Sequence, residues 1–204
     1  MDSTRRYFEK HAQAADRVYD GRGVLAPLRR GPRLGRDLAA VVVAQHGGPA
    51  VLDVGCGPGR VAEAVLDAGA ARYVGIDLSP RMLALARERL EGRESVELME
   101  GNFLDLELPG GFPVVLALGL FDYLEDPLRA AAWMRAHCTS TLVASFTRWD
   151  WLKGPWRHAR YRWIDRCFVA DYEEEAVEKL LTSAGFPRIA VPQRGRRGFL
   201  VVAR

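Results

Sequence analysis

A glycine-rich turn between an apolar run and an amphipathic segment constrains this 204-residue sequence more than any other feature. Residues 51–54 are mostly apolar and predict a buried strand, and Gly55, Gly57 and Gly59 follow without a helix breaker before them. Apolar side chains then recur at helical spacing over residues 61–66. A strand, a glycine turn and a helix in this order open the βα unit of nucleotide-binding α/β folds.

The spacing of the glycines and the acid ahead of them indicate which ligand this turn suits. A dinucleotide-binding turn has the pattern G-x-G-x-x-G, whose third glycine would fall at position 60, where this sequence has Arg60. Asp53 lies two residues ahead of the first glycine. A carboxylate aimed into the turn would repel a pyrophosphate and would favour a ligand that carries an ammonium and a sulfonium. S-adenosylmethionine is such a ligand.

The stretch VLDVGCGPGR at 51–60 resembles the first motif of the class I S-adenosylmethionine-dependent methyltransferases. In that family an acid at the end of the second strand holds the two ribose hydroxyls, and RYVGIDLSPRML at 72–83 supplies that acid as Asp77, 18 residues beyond Gly59. The resemblance implies an α/β fold with a doubly wound, Rossmann-like sheet of seven strands. It also implies helices on both faces, an antiparallel final hairpin and a helical cap at the N-terminus.

The same resemblance implies a set of cofactor-binding residues. In the family an aromatic near the start of the N-terminal helix closes over the cofactor, for which Tyr7 and Phe8 are candidates; both could instead pack in the core. Asn102 stands where the family usually has the acid that accepts the adenine amino group, and its amide oxygen can accept that hydrogen bond or simply cap a turn. The full set is Tyr7, Asp53, Gly55, Cys56, Gly57, Gly59, Asp77, Leu78, Met82, Asn102, Phe103, Leu118 and Gly119.

The chain is expected to form a single domain, 1–204, with three parts. Residues 1–46 are predicted to form a helical cap or lid with helices around 7–18 and 34–45. Residues 47–204 are predicted to form the Rossmann-like core. Within that core, an insert at about 147–170 separates the fifth strand from the last helix, and class I methyltransferases often place acceptor recognition there.

The insert is rich in both basic and aromatic residues. The stretch FTRWDWLKGPWRHARYRWIDR has six Lys or Arg against two Asp, and it holds four of the five tryptophans. Its position before LLTSAGF is loosely similar to the carboxyl O-methyltransferases of the magnesium-porphyrin pathway. Three interpretations stay open: a pocket for an acceptor with an apolar body and an anionic group, a docking surface for anionic lipid, or an amphipathic helix whose tryptophans pack on the sheet edge. The first interpretation predicts acceptor contacts from Tyr123, Arg148, Arg160 and Tyr161.

Composition excludes few classes of protein. A net charge of +3 is too small to indicate a nucleic-acid partner, and no RNA-binding appendage or basic tail is present. No apolar run approaches the length of a membrane span, and the polar N-terminus does not have the pattern of a signal peptide, so a cytoplasmic protein is expected. The three cysteines and four histidines are widely spaced, which predicts neither a disulfide framework nor a metal site. The oligomeric state is left open.

These patterns predict an enzyme that moves the methyl group of S-adenosylmethionine to oxygen or nitrogen of a small molecule by in-line displacement. Such chemistry depends on positioning and desolvation more than on side-chain reagents. A hydroxyl acceptor would need a base, for which Asp122 and His158 are candidates. The alternatives are a catalytically inactive module that binds the cofactor as a scaffold or sensor, and an NAD-dependent oxidoreductase, which the missing third glycine and Asp53 disfavour.

Overall fold

The computed structural model of the protein describes residues 2–16, 30–151 and 154–204. The helices are α1 Asp2–Asp16, α2 Arg30–Gln45, α3 Arg60–Asp67, α4 Pro80–Arg89, α5 Pro127–His137, α6 Gly154–Ala159 and α7 Glu174–Ser183. The strands are β1 Ala50–Val54, β2 Arg72–Asp77, β3 Val96–Glu100, β4 Phe112–Ala117, β5 Cys138–Thr147, β6 Ile189–Gly195 and β7 Gly198–Ala203. Over these described ranges, no helix has both the length and the apolar content that crossing a bilayer requires.

The described strands form one mixed sheet in the order β3-β2-β1-β4-β5-β7-β6. Strands β1 to β5 are parallel, while β7 runs antiparallel to both β5 and β6. Val51 of β1 pairs with Tyr73 on one side and with Val114 on the other. The strand order therefore reverses between β1 and β4, which is where open α/β sheets bind ligands. The predicted doubly wound sheet with an antiparallel final hairpin is confirmed.

Alternating side chains bury both faces of the sheet. Leu52 and Val54 of β1 belong to a core cluster with residues of α5 and α7, whereas Val51 belongs to a second cluster with residues of α2, α3 and α4. Successive residues of a strand point to opposite faces, so an almost continuous apolar run is what a strand covered on both sides requires. Helices on both faces are therefore confirmed as well.

The predicted helical cap over residues 1–46 is only partly correct. Helix α2 buries Ala39, Val42 and Val43 in one cluster with Val51 and Val143 of the sheet, so it is a layer of the core. Burial of each Val side chain against the sheet contributes about 1.5 to 3 kcal/mol to the stability of the fold. The apolar stripe of α2 is therefore more stable on the sheet than over a polar ligand. Only the start of α2, at Pro32, reaches the cavity at the carboxyl ends of the strands, to which α1 contributes Thr4 and Phe8. The end of the first predicted helix, at Val18, lies outside the described residues.

Local backbone and side-chain geometry accounts for the start of three elements. Strand β4 begins irregularly: its register with β5 shifts between Phe112 and Val114, on either side of Pro113, which has no N–H to donate. Ser79 caps α4 by accepting a hydrogen bond from the Met82 amide at 3.2 Å. Helix α7 has no side-chain cap at its N-terminus, and the nearby Asp171 carboxylate binds basic residues of the insert.

Candidate active site

A cavity opens where the carboxyl ends of β1, β2 and β4 meet, at the point where the strand order reverses. Much of the predicted cofactor set lies in its wall: Asp53, Gly55, Cys56, Gly57, Asp77, Leu78, Met82, Phe103, Leu118 and Gly119. Tyr123, from the predicted acceptor set, lies there too. Tyr7, Gly59 and Asn102 are not part of this wall.

The glycine turn presents its backbone to the cavity. Gly55 and Gly57 have φ of 77° and 54°, the left-handed region that favours glycine. A Cβ atom added to Gly57 would meet no described atom within 4 Å and would project into open space. A Cβ atom on Gly55 would instead lie 3.1 Å from Leu120 Cδ1. Gly57 therefore leaves room for a ligand to approach the main chain closely.

Gly59 has a different role from the one predicted. A Cβ atom there would lie 3.2 Å from the Ala86 Cβ and 3.4 Å from Leu90 Cδ1, both on the side of α4. The third glycine of a dinucleotide fingerprint serves the close packing of secondary-structure elements in the same way. Gly59 thus allows α3 and α4 to approach each other and does not contact the cavity.

Asp77, at the end of β2, ties the turn to the second strand. Its carboxylate accepts hydrogen bonds from the Gly57 amide at 2.8 Å and from the Ser79 amide at 2.9 Å. Burial raises the pKa of this carboxyl, and the two backbone N–H groups oppose that rise. The strand-end acid predicted from the sequence therefore lines the cavity and fixes the turn at once.

Asp53 places a second carboxyl group in the cavity wall. The side chain is almost fully buried and accepts a hydrogen bond of 2.7 Å from the Tyr73 hydroxyl. Burial raises the pKa of Asp53 to about 7, the Tyr73 hydrogen bond opposes this, and the charge of Asp77 adds to it. A cationic ligand in the cavity would favour the ionised form of both acids. The charge of the wall therefore fits a ligand with an ammonium or a sulfonium group.

At the end of β3, Asn102 has the turn-capping geometry that was one of its two expected roles. The Asn102 amide oxygen accepts a hydrogen bond from the Leu104 backbone at 3.2 Å, and the amide nitrogen donates to the Asp105 carboxylate at 2.8 Å. Asn102 therefore caps the short 3-10 turn Phe103–Asp105. Its neighbours Gly101 and Phe103 line the cavity in its place.

Helix α1 lies against the cavity and contributes Thr4 and Phe8 to the wall. These residues and the buried Ala12 are four positions apart, which places them on one face of the helix. Tyr7, the predicted cofactor contact, lies off that face and bonds to Tyr161. The spacing of Thr4, Phe8 and Ala12 was the sequence signal that could have distinguished Phe8 from Tyr7.

Two acidic residues of α1, which sequence reasoning missed, hold this lid in place. Glu9 accepts hydrogen bonds from the Ser79 hydroxyl at 2.6 Å and from the Arg81 amide at 3.2 Å. The Ser79 hydrogen bond is the main cause that lowers the pKa of Glu9. Asp16 binds Arg60 through both carboxylate oxygens and also pairs with Arg89 at 2.9 Å. These contacts end at Ser79, at the first residue of α3 and on α4.

Three tyrosine hydroxyls converge beside the cavity. The Tyr161 hydroxyl lies 3.1 Å from that of Tyr7 and 3.3 Å from that of Tyr123. The ring of Tyr123 also meets Phe8 edge-on, with 4.9 Å between centroids. Burial raises the pKa of Tyr7 and of Tyr123 above the usual range, so both hydroxyls stay neutral donors and acceptors. This tyrosine cluster joins the insert, the lid and the cavity wall.

The two candidate bases lie in a separate ion-pair network. Asp122 accepts hydrogen bonds from the amide and hydroxyl of Thr147 and from Arg157. Arg157 also pairs with Asp171, which in turn binds His158 Nε2. Neither Asp122 nor His158 lines the cavity. The geometry gives no support to either of them as the base.

The predicted acceptor arginines are also directed elsewhere. Arg148 pairs with Glu174 and its guanidinium lies 5.5 Å from the centroid of the Phe199 ring. Arg160 pairs with Asp165 at 3.1 Å. Neither lines the cavity, in contrast to Tyr123, whose hydroxyl lies 3.3 Å from that of Tyr161. The wall near Tyr123 is therefore formed by that tyrosine and by apolar residues and not by these arginines.

The described residues of the cavity wall form neither a metal-binding cluster nor a reactive thiolate. In the part of the chain that the structure describes, no three His, Cys, Asp or Glu side chains form a cluster that could hold a metal ion. Cys56 lies in the wall, and its burial, followed by the charges of Asp77 and Asp53, raises the pKa of the thiol well above its ordinary value. The thiol therefore stays protonated and acts as a small side chain in the turn.

Comparison with known proteins agrees with this geometry. Residues 51–140 match the profile of a methyltransferase domain family. A ubiquinone biosynthesis O-methyltransferase from Xanthomonas campestris is 36% identical over 123 residues, which cover 59% of this chain and 51% of that protein. A protein of the same name from Thiobacillus denitrificans is 41% identical over 88 residues, 42% of this chain and 38% of that one. The chain thus spans about half, or less, of the length of these relatives.

Solved structures show that the likeness in fold extends over the whole chain. The magnesium protoporphyrin IX methyltransferase from Synechocystis, crystallised with bound SAH, superimposes with a TM-score of 0.75 over 100% of this chain and 99% of its own, at 22% identity. The structure of a DhpI–SAH complex gives a TM-score of 0.72 over 100% and 95%, at 16% identity. With its sheet order, its glycine turn and the matched methyltransferase domain at 51–140, the chain has the fold of these solved structures.

Proposed function

We propose that the cavity binds S-adenosylmethionine and that the protein transfers its methyl group to an oxygen of a small molecule. The observation that carries the proposal is the pair of buried carboxyls, Asp53 and Asp77, beside a glycine turn whose main chain is open to the cavity. The bound cofactor supplies an electrophilic methyl group on a cationic sulfur. A cavity with two acids and a close backbone approach suits that charge better than a pyrophosphate.

Each part of the wall has a distinct task in this proposal. The turn at Gly55 and Gly57 holds the methionine part of the cofactor, with the Asp53 carboxylate favouring its positive charge. Asp77 accepts hydrogen bonds from the ribose hydroxyls while it keeps the Gly57 amide in place. Phe103 and the neighbouring Gly101 form the wall at the end of β3, where the adenine would lie.

The acceptor side of the cavity is apolar, with hydroxyls at its margin. Phe8, Leu118 and Leu120 lie in the wall with Tyr123, which contacts Tyr161. We infer a small acceptor with an apolar body whose oxygen is oriented by neutral tyrosine hydroxyls. The relatives that are named ubiquinone biosynthesis O-methyltransferases support oxygen as the accepting atom.

A carboxylate acceptor needs no base, because its oxygen is already nucleophilic. A phenolic hydroxyl must lose a proton, which the neutral tyrosine hydroxyls cannot accept, and Asp122 and His158 lie outside the wall, so an acceptor that is ionised without a base suits this cavity better. The described residues of the chain then act chiefly by positioning and by excluding water, which suits a reaction whose leaving group carries a positive charge before it departs.

The direct test is an assay of methyl transfer with a panel of oxygen acceptors. The purified protein is incubated with S-adenosylmethionine and with phenols, catechols or aromatic carboxylic acids, and S-adenosylhomocysteine is measured by mass spectrometry. We expect acceptor-dependent product from the wild type and none from Gly57→Val, in which the added side chain fills the open space beside the main chain of the turn. Binding of the cofactor without transfer to any acceptor would favour the scaffold or sensor alternative.

A further inference from the structure

The insert places its largest apolar side chains in solvent. The exposed fractions are 86% for Trp151, 79% for Trp156, 75% for Trp163 and 71% for Ile164. Of the other large apolar residues that are exposed in the described chain, none exceeds the 53% of Val41. Of the three interpretations of the insert, the one in which the tryptophans pack on the sheet edge therefore does not hold for these three tryptophans. We call Trp151, Trp156, Trp163 and Ile164 the insert face.

The acidic residues of the insert are turned inward and neutralised. The side chains of Asp150, Asp165 and Asp171 are only 12%, 4% and 7% exposed. Asp165 pairs with Arg160, and Asp171 pairs with Arg157 and His158. None of these carboxylates therefore contributes an exposed negative charge next to the insert face.

The basic residues beside the insert face remain outward. Arg162 and Arg166 are exposed, and neither forms an ion pair with a carboxylate of the described residues. The Arg162 guanidinium lies 5.9 Å from the centroid of the Trp163 ring. The surface thus combines bulky aromatic rings with positive charge that the protein itself does not neutralise.

We propose that the insert face docks on an anionic lipid bilayer. Trp side chains favour the boundary between lipid headgroups and acyl chains, and basic side chains bind the phosphates of anionic lipids. A patch of four large side chains is small for a stable protein interface, which takes about 20 to 30 residues a side. Shallow insertion into a bilayer requires only such a patch together with a few basic residues.

The segment that carries the insert face also contacts the cavity wall, through Tyr161. Tyr161 follows Arg160 in the same segment, and its hydroxyl contacts Tyr7 of the lid and Tyr123 of the cavity wall. If the proposed function holds, docking would bring the acceptor side of the cavity next to the bilayer, from which an apolar acceptor could enter. The docking itself does not depend on methyl transfer.

Vesicle flotation tests the apolar part of the proposal. The full chain is mixed with vesicles of equal parts phosphatidylglycerol and phosphatidylcholine, and the fraction that floats is measured against lipid concentration. We expect the triple variant Trp156→Ser, Trp163→Ser, Ile164→Ser to bind about tenfold or more weakly. The control is Val41→Ser with Leu128→Ser, which removes exposed apolar side chains elsewhere and should bind like the wild type.

The basic part is tested with Arg162→Gln and Arg166→Gln. Each change should weaken binding to the anionic vesicles about fivefold, since a basic side chain near such a surface contributes about 1 kcal/mol. Added salt, or the use of pure phosphatidylcholine vesicles, should also weaken binding by the wild type.

The result that would overturn the proposal is a wild type that does not float, or a triple variant that floats as well as the wild type. A triple variant that changes only the oligomeric state in sedimentation would overturn it in favour of a contact between copies of the chain. Titration of the triple variant with S-adenosylmethionine shows separately whether the cofactor site is intact.

Discussion

The Asp77 carboxylate accepts a hydrogen bond of 2.8 Å from the Gly57 amide, so the end of β2 and the turn after β1 are joined by one side chain. The second oxygen of this carboxylate accepts the Ser79 amide at the start of α4. Because backbone N–H groups bind both oxygens, the orientation of the carboxylate is fixed before a ligand arrives. Pre-organisation of this kind is what a site for two adjacent hydroxyls requires.

Asp77→Ala should weaken the binding of S-adenosylmethionine about tenfold or more, since a charged hydrogen bond contributes about 1.5 to 3 kcal/mol. Isothermal titration calorimetry measures this effect directly. Asp77→Asn separates charge from structure, because its amide oxygen can still accept one of the two backbone hydrogen bonds. The matched control is Glu100→Gln at the paired position of β3, which is exposed and should bind normally. Unchanged affinity in a folded Asp77→Ala protein would contradict the ribose role.

Asp53 makes the affinity for a cationic ligand depend on pH. Its pKa of about 7 means that the carboxyl is largely neutral below that pH and ionised above it. A ligand with an ammonium and a sulfonium prefers the ionised form, so affinity should rise as the pH rises through 7, by up to about tenfold between about pH 6 and about pH 8. Asp53→Asn should remove this rise. The amino group of the ligand titrates equally in both proteins, so the difference between them reports Asp53. Parallel pH profiles would show that Asp53 does not sense the ligand.

Glu9 should control how readily the lid opens. Its carboxylate holds α1 to Ser79 and Arg81 at the start of α4. Glu9→Gln weakens these hydrogen bonds, so we expect faster dissociation of S-adenosylmethionine and faster amide exchange in α1. Arg5→Gln is the control on the same helix, because it breaks only the exposed ion pair with Glu100. Equal exchange in the two variants would mean that Glu9 does not hold the lid.

Tyr161 should act on the acceptor and not on the cofactor. Tyr161→Phe removes the hydroxyl that joins Tyr7 and Tyr123 but leaves the ring. With an acceptor from the panel, we expect slower methyl transfer and unchanged affinity for S-adenosylmethionine. Arg160→Ala is the neighbouring control and should retain transfer, since Arg160 pairs with Asp165 outside the cavity wall. Loss of transfer in Arg160→Ala alone would restore the acceptor role first predicted for that arginine.

The sheet and the turn could be predicted from the sequence because each depends on local constraints. Glycines with positive φ, an apolar run that ends at them and an acid at the end of the next strand leave few alternative folds. Asp53, Gly57 and Asp77 consequently lie in the cavity wall as expected. Their contacts with a bound cofactor remain predictions until binding is measured.

Side-chain direction could not be predicted where tertiary contacts determine it. Tyr7 and Phe8 are adjacent in the chain, and the four-residue spacing that Phe8 shares with Thr4 identifies the inward face only once α1 is known to lie against the cavity. Asn102 forms a cap because its partners at 104 and 105 are in a 3-10 turn. The insert departs furthest from prediction, because a tryptophan pattern normally predicts burial, whereas here Trp156 and Trp163 face solvent.

Titration of the full chain with S-adenosylmethionine and, separately, with NAD tests the central claim most directly. The cavity between the glycine turn and Asp77 predicts that S-adenosylmethionine binds to one site and that NAD does not bind. It also predicts loss of binding in Gly57→Val, because the added side chain would occupy the open space beside the turn. Gly69→Val is a matched control, since Gly69 also has a positive φ and open space around its Cβ position but lies outside the cavity wall. Binding of NAD, or wild-type affinity for S-adenosylmethionine in the folded Gly57→Val variant, would contradict the account.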